Sequence, residues 1–495
     1  MPSPEPAPRE PVSKKRRTPA DLLQSLWNSG TVTSWANMGA QSARLLLVLP
    51  LLLNRFSEVE VAAWLLFSSA VIFSSIVVDQ FSNVASRMVA LAAGGAADLK
   101  PFRAGQKKAS GEENWNLLRG LFKGLSSFGL ILAVITAIAV GLAGTFGLEG
   151  LTAGYAGSDR IWTAFSILIA GEAVRNAFFK YGIVLRGLNL VALTNRWEAL
   201  FAVISSLAGA LCLYLDGSIV ALTLVIQTFR LIGVLRLRVL LLWATKGNLT
   251  AAGDKLPFGE IFHSMWTPFW RSLVRDASNR GAVQFCTLVF VRNSSAELAA
   301  SVMLCLRLTD TASQISLAPL KSKIPKFARL LSKGAITKLS TELQKATRLS
   351  QYLLVAIYLG ILLAGPWMLT LIHSKVQLPP FHINAALLVC ALGVKFLAQT
   401  MMISAIGNNI VATTGAVAGA AISFVCAPWL ISSYGVNGLL VSAYLPQILC
   451  INIVPLMAGC RMLSTPPGRY VVDNFAVSWA VFAGGLTLGL YKFTN

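Results

Sequence analysis

Acidic side chains are scarce in this chain: 21 Asp and Glu stand against 42 Lys and Arg, and charged residues together make up 13% of 495 positions. Histidine is nearly absent, with three in all: His263, His373 and His382. The sequence holds no H-E-x-x-H pair, no Gly-rich phosphate loop and no Gly-rich dinucleotide turn. Its seven cysteines, Cys212, Cys286, Cys305, Cys390, Cys426, Cys450 and Cys460, stand singly in apolar runs with no C-x-x-C spacing, as packed thiols do. Paired carboxylates suited to glycosyl transfer are missing from the connecting segments. These absences argue against an enzyme, and no cofactor or metal is expected. A cleavable leader is excluded as well, because Asp21, Gln24 and Asn28 interrupt any apolar run after Met1–Thr18. That Pro-rich start, with Lys14, Lys15, Arg16 and Arg17, reads as a disordered cytoplasmic tail whose basic cluster meets anionic inner-leaflet lipids.

Apolar residues fill the rest. Hydrophobic residues reach 55% and the mean hydropathy is +0.65. About twelve runs of roughly 20 apolar residues match the hydrocarbon thickness of a bilayer, and Phe475–Leu490 offers a shorter thirteenth. Backbone groups in lipid must be satisfied within each segment, so the runs are helices, and the expected fold is an all-α polytopic membrane protein. If the N-terminus is inside, the inner segments hold roughly 26 Lys and Arg and the outer loops about four, the asymmetry of the positive-inside rule. Much of the net charge of +21 is thus a topology signal rather than a nucleic-acid footprint. The inner connection Lys321–Arg348 mixes charges with Ile324, Phe327, Leu330, Leu339 and Leu343, as an amphipathic helix on the membrane surface does. The expected organisation is a tail over 1–30, a six-helix lobe over 31–243, a linker over 244–264, a second six-helix lobe over 265–460 and a C-terminal segment over 461–495.

An internal repeat supports two lobes. Arg55-Phe56-Ser57-Glu58-Val59-Glu60-Val61-Ala62-Ala63 aligns with Arg292-Asn293-Ser294-Ser295-Ala296-Glu297-Leu298-Ala299-Ala300, sharing Arg, Ser, Glu and two Ala. Each copy is the short outer turn between the first two spans of a lobe. With six spans per repeat both lobes keep one orientation, so the pseudo-twofold axis runs along the membrane normal.

Charges inside the spans are the unusual feature, because an Arg at the bilayer centre costs roughly 2.5–3.5 kcal/mol and such groups face a bundle interior or a wet cavity. The run Met265–Val291 contains Arg271, Arg275, Asp276 and Arg280. At ~100° per residue, Arg271 and Arg275 share one face and Asp276 and Arg280 another, so the second couple neutralises itself and the first lacks a counter-ion. The first span holds Asn37, Gln41 and Arg44, the second ends at Asp79, the fourth has Glu172, Arg175 and Lys180, the sixth Arg230, the eighth Arg307 and Asp310, and the tenth Lys395. Glu172–Arg175 and Arg307–Asp310 have the spacing of same-helix pairs. Lys180, Arg230 and Asp79 are placed to snorkel. The remaining cations form a surplus suited to an anion with two or more charges, since Arg offers phosphate a planar fork and stays charged. Expected anion-binding residues are Arg44, Arg271, Arg275, Arg280, Arg175 and Lys395. Expected sites for a coupling H+ or Na+ are Asp79, Glu172, Asp276 and Asp310.

The stretch Phe56-Ser57-Glu58-Val59-Glu60-Val61-Ala62-Ala63-Trp64-Leu65-Leu66-Phe67, followed by Asp79, Arg87 and Gly94-Gly95, resembles the second-span region of the polysaccharide transporter family. That family is the O-antigen (Wzx-type) flippase group of the multidrug/oligosaccharidyl-lipid/polysaccharide exporter superfamily. Arg186-Gly187-Leu188-Asn189 and Asn195-Arg196-Trp197-Glu198 are similar to its inner turn after the fourth span. The resemblance implies an alternating-access flippase in the bacterial inner membrane that moves undecaprenyl-pyrophosphate-linked oligosaccharide, coupled to an ion gradient. It also implies a polysaccharide polymerase and a chain-length regulator as partners, and gives Arg44, Arg271 and Arg275 the role of cavity cations. The run Phe475–Leu490 departs from a plain twelve-span plan. Competing readings are a flippase for lipid II or a teichoic-acid precursor, a multidrug exporter of the same fold, and a non-transporting scaffold for polysaccharide assembly.

Overall fold

A computed structural model describes residues 30–96, 113–251, 256–321, 335–406 and 411–494, with Trp27, Lys323, Lys326, Phe327 and Leu330. The basic tail lies outside the described residues. Every regular element among the described residues is helical: α1 Gly30–Arg55, α2 Glu58–Ala93, α3 Trp115–Thr152, α4 Ser158–Ala177, α5 Lys180–Gly187, α6 Val191–Tyr214, α7 Ile219–Ala244, α8 Phe258–Asp276, α9 Ala282–Arg292, α10 Ala296–Ser316, α11 Ala318–Lys321, α12 Ile336–Leu363, α13 Gly365–Leu371, α14 Phe381–Ile406, α15 Val411–Pro446, α16 Ile453–Met462 and α17 Pro467–Thr494. A 3-10 turn occupies Asn248–Thr250, and two π-helical segments, Ala277–Gly281 and Gln447–Asn452, join α8 to α9 and α15 to α16. The thirteenth apolar run belongs to α17. Residues 411–446 are two spans that meet at Gly435, whose φ of +55° and ψ of −123° are open only to glycine.

Among the described residues, eight helical stretches are long and apolar enough to cross a membrane by length and composition. Of the other expected spans, α4–α5, α8–α9 and α10 are interrupted by charge, and α14 contributes the shorter apolar stretch Phe381–Lys395. On α3, Leu130, Val134, Ile138 and Leu142 recur every fourth residue and are all more than half exposed, as lipid-facing positions are.

The two repeat copies fold alike. Ser57 caps α2 by accepting from the Glu60 N–H, and Ser295 caps α10 by accepting from the Leu298 N–H. Glu60 completes a capping box in the first copy. The helices they start, α2 and α10, pack against each other.

Helices from both halves share a single core that includes Leu52, Leu66, Phe165, Phe290, Leu304, Tyr358 and Leu388. Polar contacts stitch the halves at the same end. The Lys375 N–H donates to the Leu53 carbonyl at 2.9 Å, Lys375 Nζ to the Arg55 carbonyl at 2.9 Å, and Asn54 Nδ2 to the Ile372 carbonyl at 3.0 Å. Gly150 lets α3 approach α9 so closely that a Cβ there would lie 2.7 Å from the Arg292 carbonyl oxygen. At the opposite end the core divides. One cluster gathers α2, α3, α5 and α7 with Ile261 and Met265 of α8; another gathers α12, α16 and α17 with Leu320 and Phe327. The halves are therefore joined at the end bearing Arg55 and Arg292 and have separate cores at the other.

Residues 336–348 depart from the expectation of a helix lying on the membrane. Leu339 and Leu343 are buried against Cys460, Tyr470 and Phe475 because α12 runs without a break from the connection into the span. Glu342 ties the connection down, with Lys326 Nζ at 3.0 Å and Lys323 Nζ at 3.6 Å.

Candidate functional site

Charged groups of the spans collect in three clusters. The first lies where α2 faces α8 and the π segment after it. Arg280 reaches Asp276 Oδ2 at 3.3 Å along its own helix and Asp79 Oδ2 at 3.6 Å across the cleft. Gln80 Nε2 donates to the other side of the same site, on Asp276 Oδ2. Arg275 touches Asp276 only at 3.9 Å, and no carboxylate among the described residues pairs with Arg271, which is exposed. Both partners of the Arg280–Asp79 pair remain about half exposed, at 49% and 51%. The expected Asp276–Arg280 couple is present, Arg280 is shared with Asp79, and Arg271 has no carboxylate partner among the described residues.

The second cluster lies between α4 and α7. Glu172 is fully buried and holds Arg175 Nη2 at 2.7 Å on its own helix and Arg230 from α7. Snorkelling is corrected here: Arg230 turns inward to a buried carboxylate instead of toward an interface. Lys180 donates to Ser126 Oγ at 2.6 Å with its ammonium 4.5 Å from the centre of the Phe122 ring. Asp79 pairs with Arg280.

The third cluster lines a cavity of about 70 Å³ between α2, α9, α10, α14 and α15, with Ser68, Gln284, Arg307, Asp310, Lys395 and Tyr444 in its wall. Asp310 Oδ1 pairs with Lys395 Nζ at 3.7 Å. The expected Arg307–Asp310 couple does not form, since the carboxylate reaches across to α14. The Oε1 atom of buried Gln284 has no hydrogen-bond partner. Gln284 lies one turn beyond Arg280, so the first and third clusters form one polar path along α8–α9.

Each cluster holds one more cation than carboxylate: Arg271, Arg275 and Arg280 against Asp79 and Asp276; Arg175 and Arg230 against Glu172; Arg307 and Lys395 against Asp310. The α1 polar residues serve packing: Asn37 Nδ2 donates to Glu198 Oε2 of α6 at 2.9 Å and Gln41 Nε2 to Asn37 Oδ1 at 3.3 Å. Arg44 lies on α1, and its side chain is outside the described residues. Sequence reasoning missed Arg307, Gln80 and Gln284 as site residues. Four-residue spacing from Arg280 to Gln284 was the available signal for the last.

No protein-family model and no curated protein matches the chain. Solved structures do. An inward-facing multidrug resistance MATE family transporter of the MOP superfamily aligns with a TM-score of 0.58 at 15% identity, over 86% of this chain and 94% of that one. A MOP superfamily transporter from Pyrococcus furiosus, described as having a binding pocket of reverse polarity that suggests a different function, gives 0.55 at 16% identity over 89% and 97%. The eukaryotic MATE transporter AtDTX14 gives 0.54 at 12% identity over 90% and 98%. The chain thus has the all-helical fold shared by MATE transporters of the MOP superfamily.

Proposed function

We propose that this chain flips a lipid-linked polyanion, of the class of undecaprenyl-pyrophosphate-linked oligosaccharides, across a bacterial inner membrane by alternating access. The observation that carries the reading is the unpaired, exposed Arg271 beside the half-exposed Arg275 and Arg280, along α8 and the π segment after it. A surplus of guanidinium in a wet cleft attracts pyrophosphate and repels the lipophilic cations typical of drug export. The described reverse polarity of the Pyrococcus furiosus pocket supports a departure from drug transport within this fold.

In this mechanism the cleft, open at the end with separate cores, admits the headgroup, and Arg271, Arg275 and Arg280 take the pyrophosphate. Arg175 and Lys395 extend the positive lining, with Arg44 assigned to it by its position on α1. When the phosphates take Arg280, Asp79 and Asp276 lose their shared counter-ion. Two neighbouring carboxylates then favour uptake of H+ or Na+, which couples binding to a gradient. Asp310, paired loosely with Lys395, is a second coupling candidate. Rocking of the halves opens the opposite end by releasing Lys375 and Asn54.

The test is transport of a fluorescent polyprenyl-pyrophosphate oligosaccharide in proteoliposomes. Arg271→Gln is expected to slow it about 10- to 100-fold, the loss of one charge-assisted contact. Undiminished flipping by that variant, or gradient-driven efflux of a cationic dye by the parent, defeats the proposal.

A further inference from the structure

The helix α8 has three sectors, and the site above uses one. Ile261 and Met265, both almost fully buried, dock it on α2 and α3. On one flank Phe258, Phe262, Trp266 and Trp270 recur every fourth residue, each 40–47% exposed. Their rings run in file: Phe258 to Phe262 at 5.8 Å and Phe262 to Trp266 at 5.0 Å between centres. At ~100° per residue the other flank holds Ser264, Thr267, Arg271 and Arg275. Trp270 and Arg271 are adjacent, so the aromatic and cationic sectors meet at the same height. Lipid exposure alone does not call for such a file, because the outward face of α3 is aliphatic, with Leu130, Val134, Ile138 and Leu142. From Phe258 to Trp270 the file is about 18 Å long at 1.5 Å per residue.

We infer that the aromatic flank of α8 is the binding site for the polyprenyl chain of the transported lipid, which straddles the helix with its pyrophosphate on Arg271 and Arg275. The inference rests on the proposed function. Its occupant follows from charge complementarity: a ligand held by those arginines must be anionic, and the apolar part of that ligand meets rigid rings across the helix crest. Flat rings give large contact area to a branched isoprenoid with little side-chain entropy to lose.

The test uses the full chain in phosphatidylglycerol–phosphatidylethanolamine nanodiscs, with undecaprenyl pyrophosphate and inorganic pyrophosphate as probes. The double variant Trp266→Ala/Trp270→Ala is expected to weaken undecaprenyl pyrophosphate about tenfold and leave inorganic pyrophosphate unchanged, whereas Arg271→Gln weakens both. A Trp266→Phe/Trp270→Phe variant, which keeps the rings, is expected to bind both probes like the parent and so controls for folding. Parent-like affinity of the alanine variant for the long-chain probe overturns the tail site. In the parent, a spin-labelled polyprenyl pyrophosphate is expected to quench tryptophan fluorescence more strongly than spin-labelled phosphatidylglycerol; equal quenching assigns the flank to bulk lipid and also overturns it. If Arg271→Gln changes neither affinity, the anion reading fails and the tail proposal falls with it.

Discussion

At the scale of single residues, the carboxylates of the spans do different work according to their burial. Glu172 is sealed between Arg175 and Arg230, so removing its charge takes away the buried carboxylate that the two guanidiniums share. Breaking a buried pair from one side typically costs about 3–5 kcal/mol. Glu172→Gln is therefore expected to lower the unfolding temperature in detergent sharply, and a melting curve within a degree of the parent's would contradict the structural role. Asp310 is half exposed and holds Lys395 at 3.7 Å, a contact weak enough to exchange. Under the proposed function, Asp310→Asn is expected to fold normally and weaken gradient dependence, measured as flipping with and without an imposed pH or sodium gradient. The charged positions themselves were legible in the sequence, because ionisable residues stand out in apolar runs. Their partners were legible only within one helix: Glu172–Arg175 and Asp276–Arg280 follow from spacing, but Arg230–Glu172 and Lys395–Asp310 depend on which helices become neighbours, and local spacing does not encode that.

At the scale of elements, the π segment Ala277–Gly281 sits at a division of allegiance. Before it, α8 docks through Ile261 and Met265 on the cluster formed by α2 and α3. After it, α9 packs chiefly on α15 while keeping contact with α3 and α2. A π turn adds a residue to the helix and is frequent at functional sites, and this one delivers Arg280 to the cleft. The sequence showed a continuous span from Met265 to Val291; nothing in its apolar pattern marks the widened turn, which is set by packing on both sides. Gln447, the first residue of the second π segment, donates from Nε2 to the Asn279 carbonyl at 3.1 Å and ties the two irregular turns together. Replacing it with Leu removes one hydrogen bond worth about 1 kcal/mol and frees the residue preceding Arg280. Gln447→Leu is expected to reduce flipping several-fold while affinity for pyrophosphate stays within about twofold, a split read by comparing transport rates with binding isotherms. A parallel loss of both would place the residue in the binding surface instead of the joint.

At the scale of the whole molecule, one shared core at one end and two separate cores at the other make the closed end, under the proposed function, the barrier that transport must break. The repeat announced paired halves in the sequence, through Arg55-Phe56-Ser57 and Arg292-Asn293-Ser294, but which end is shut depends on contacts some 320 residues apart, such as Lys375 with the Arg55 carbonyl. Those contacts are exposed or part-buried: Lys375 with Leu53 and Arg55, Asn54 with Ile372, and Arg292 with Glu149 at 3.9 Å. Exposed polar contacts are individually worth at most about 1 kcal/mol, so removing two of them shifts a two-state equilibrium by about tenfold. A cysteine at Ser68, partly exposed in the wall of the cavity, in a background lacking reactive thiols, reports that shift. In the parent it is expected to react with a membrane-impermeant maleimide from the side where the cores separate. Adding Lys375→Ala and Asn54→Ala is expected to raise labelling from the opposite side and to lower it from the first. The reciprocal change is the decisive feature, because a local loosening of the 372–375 loop would raise labelling from one side without protecting the other.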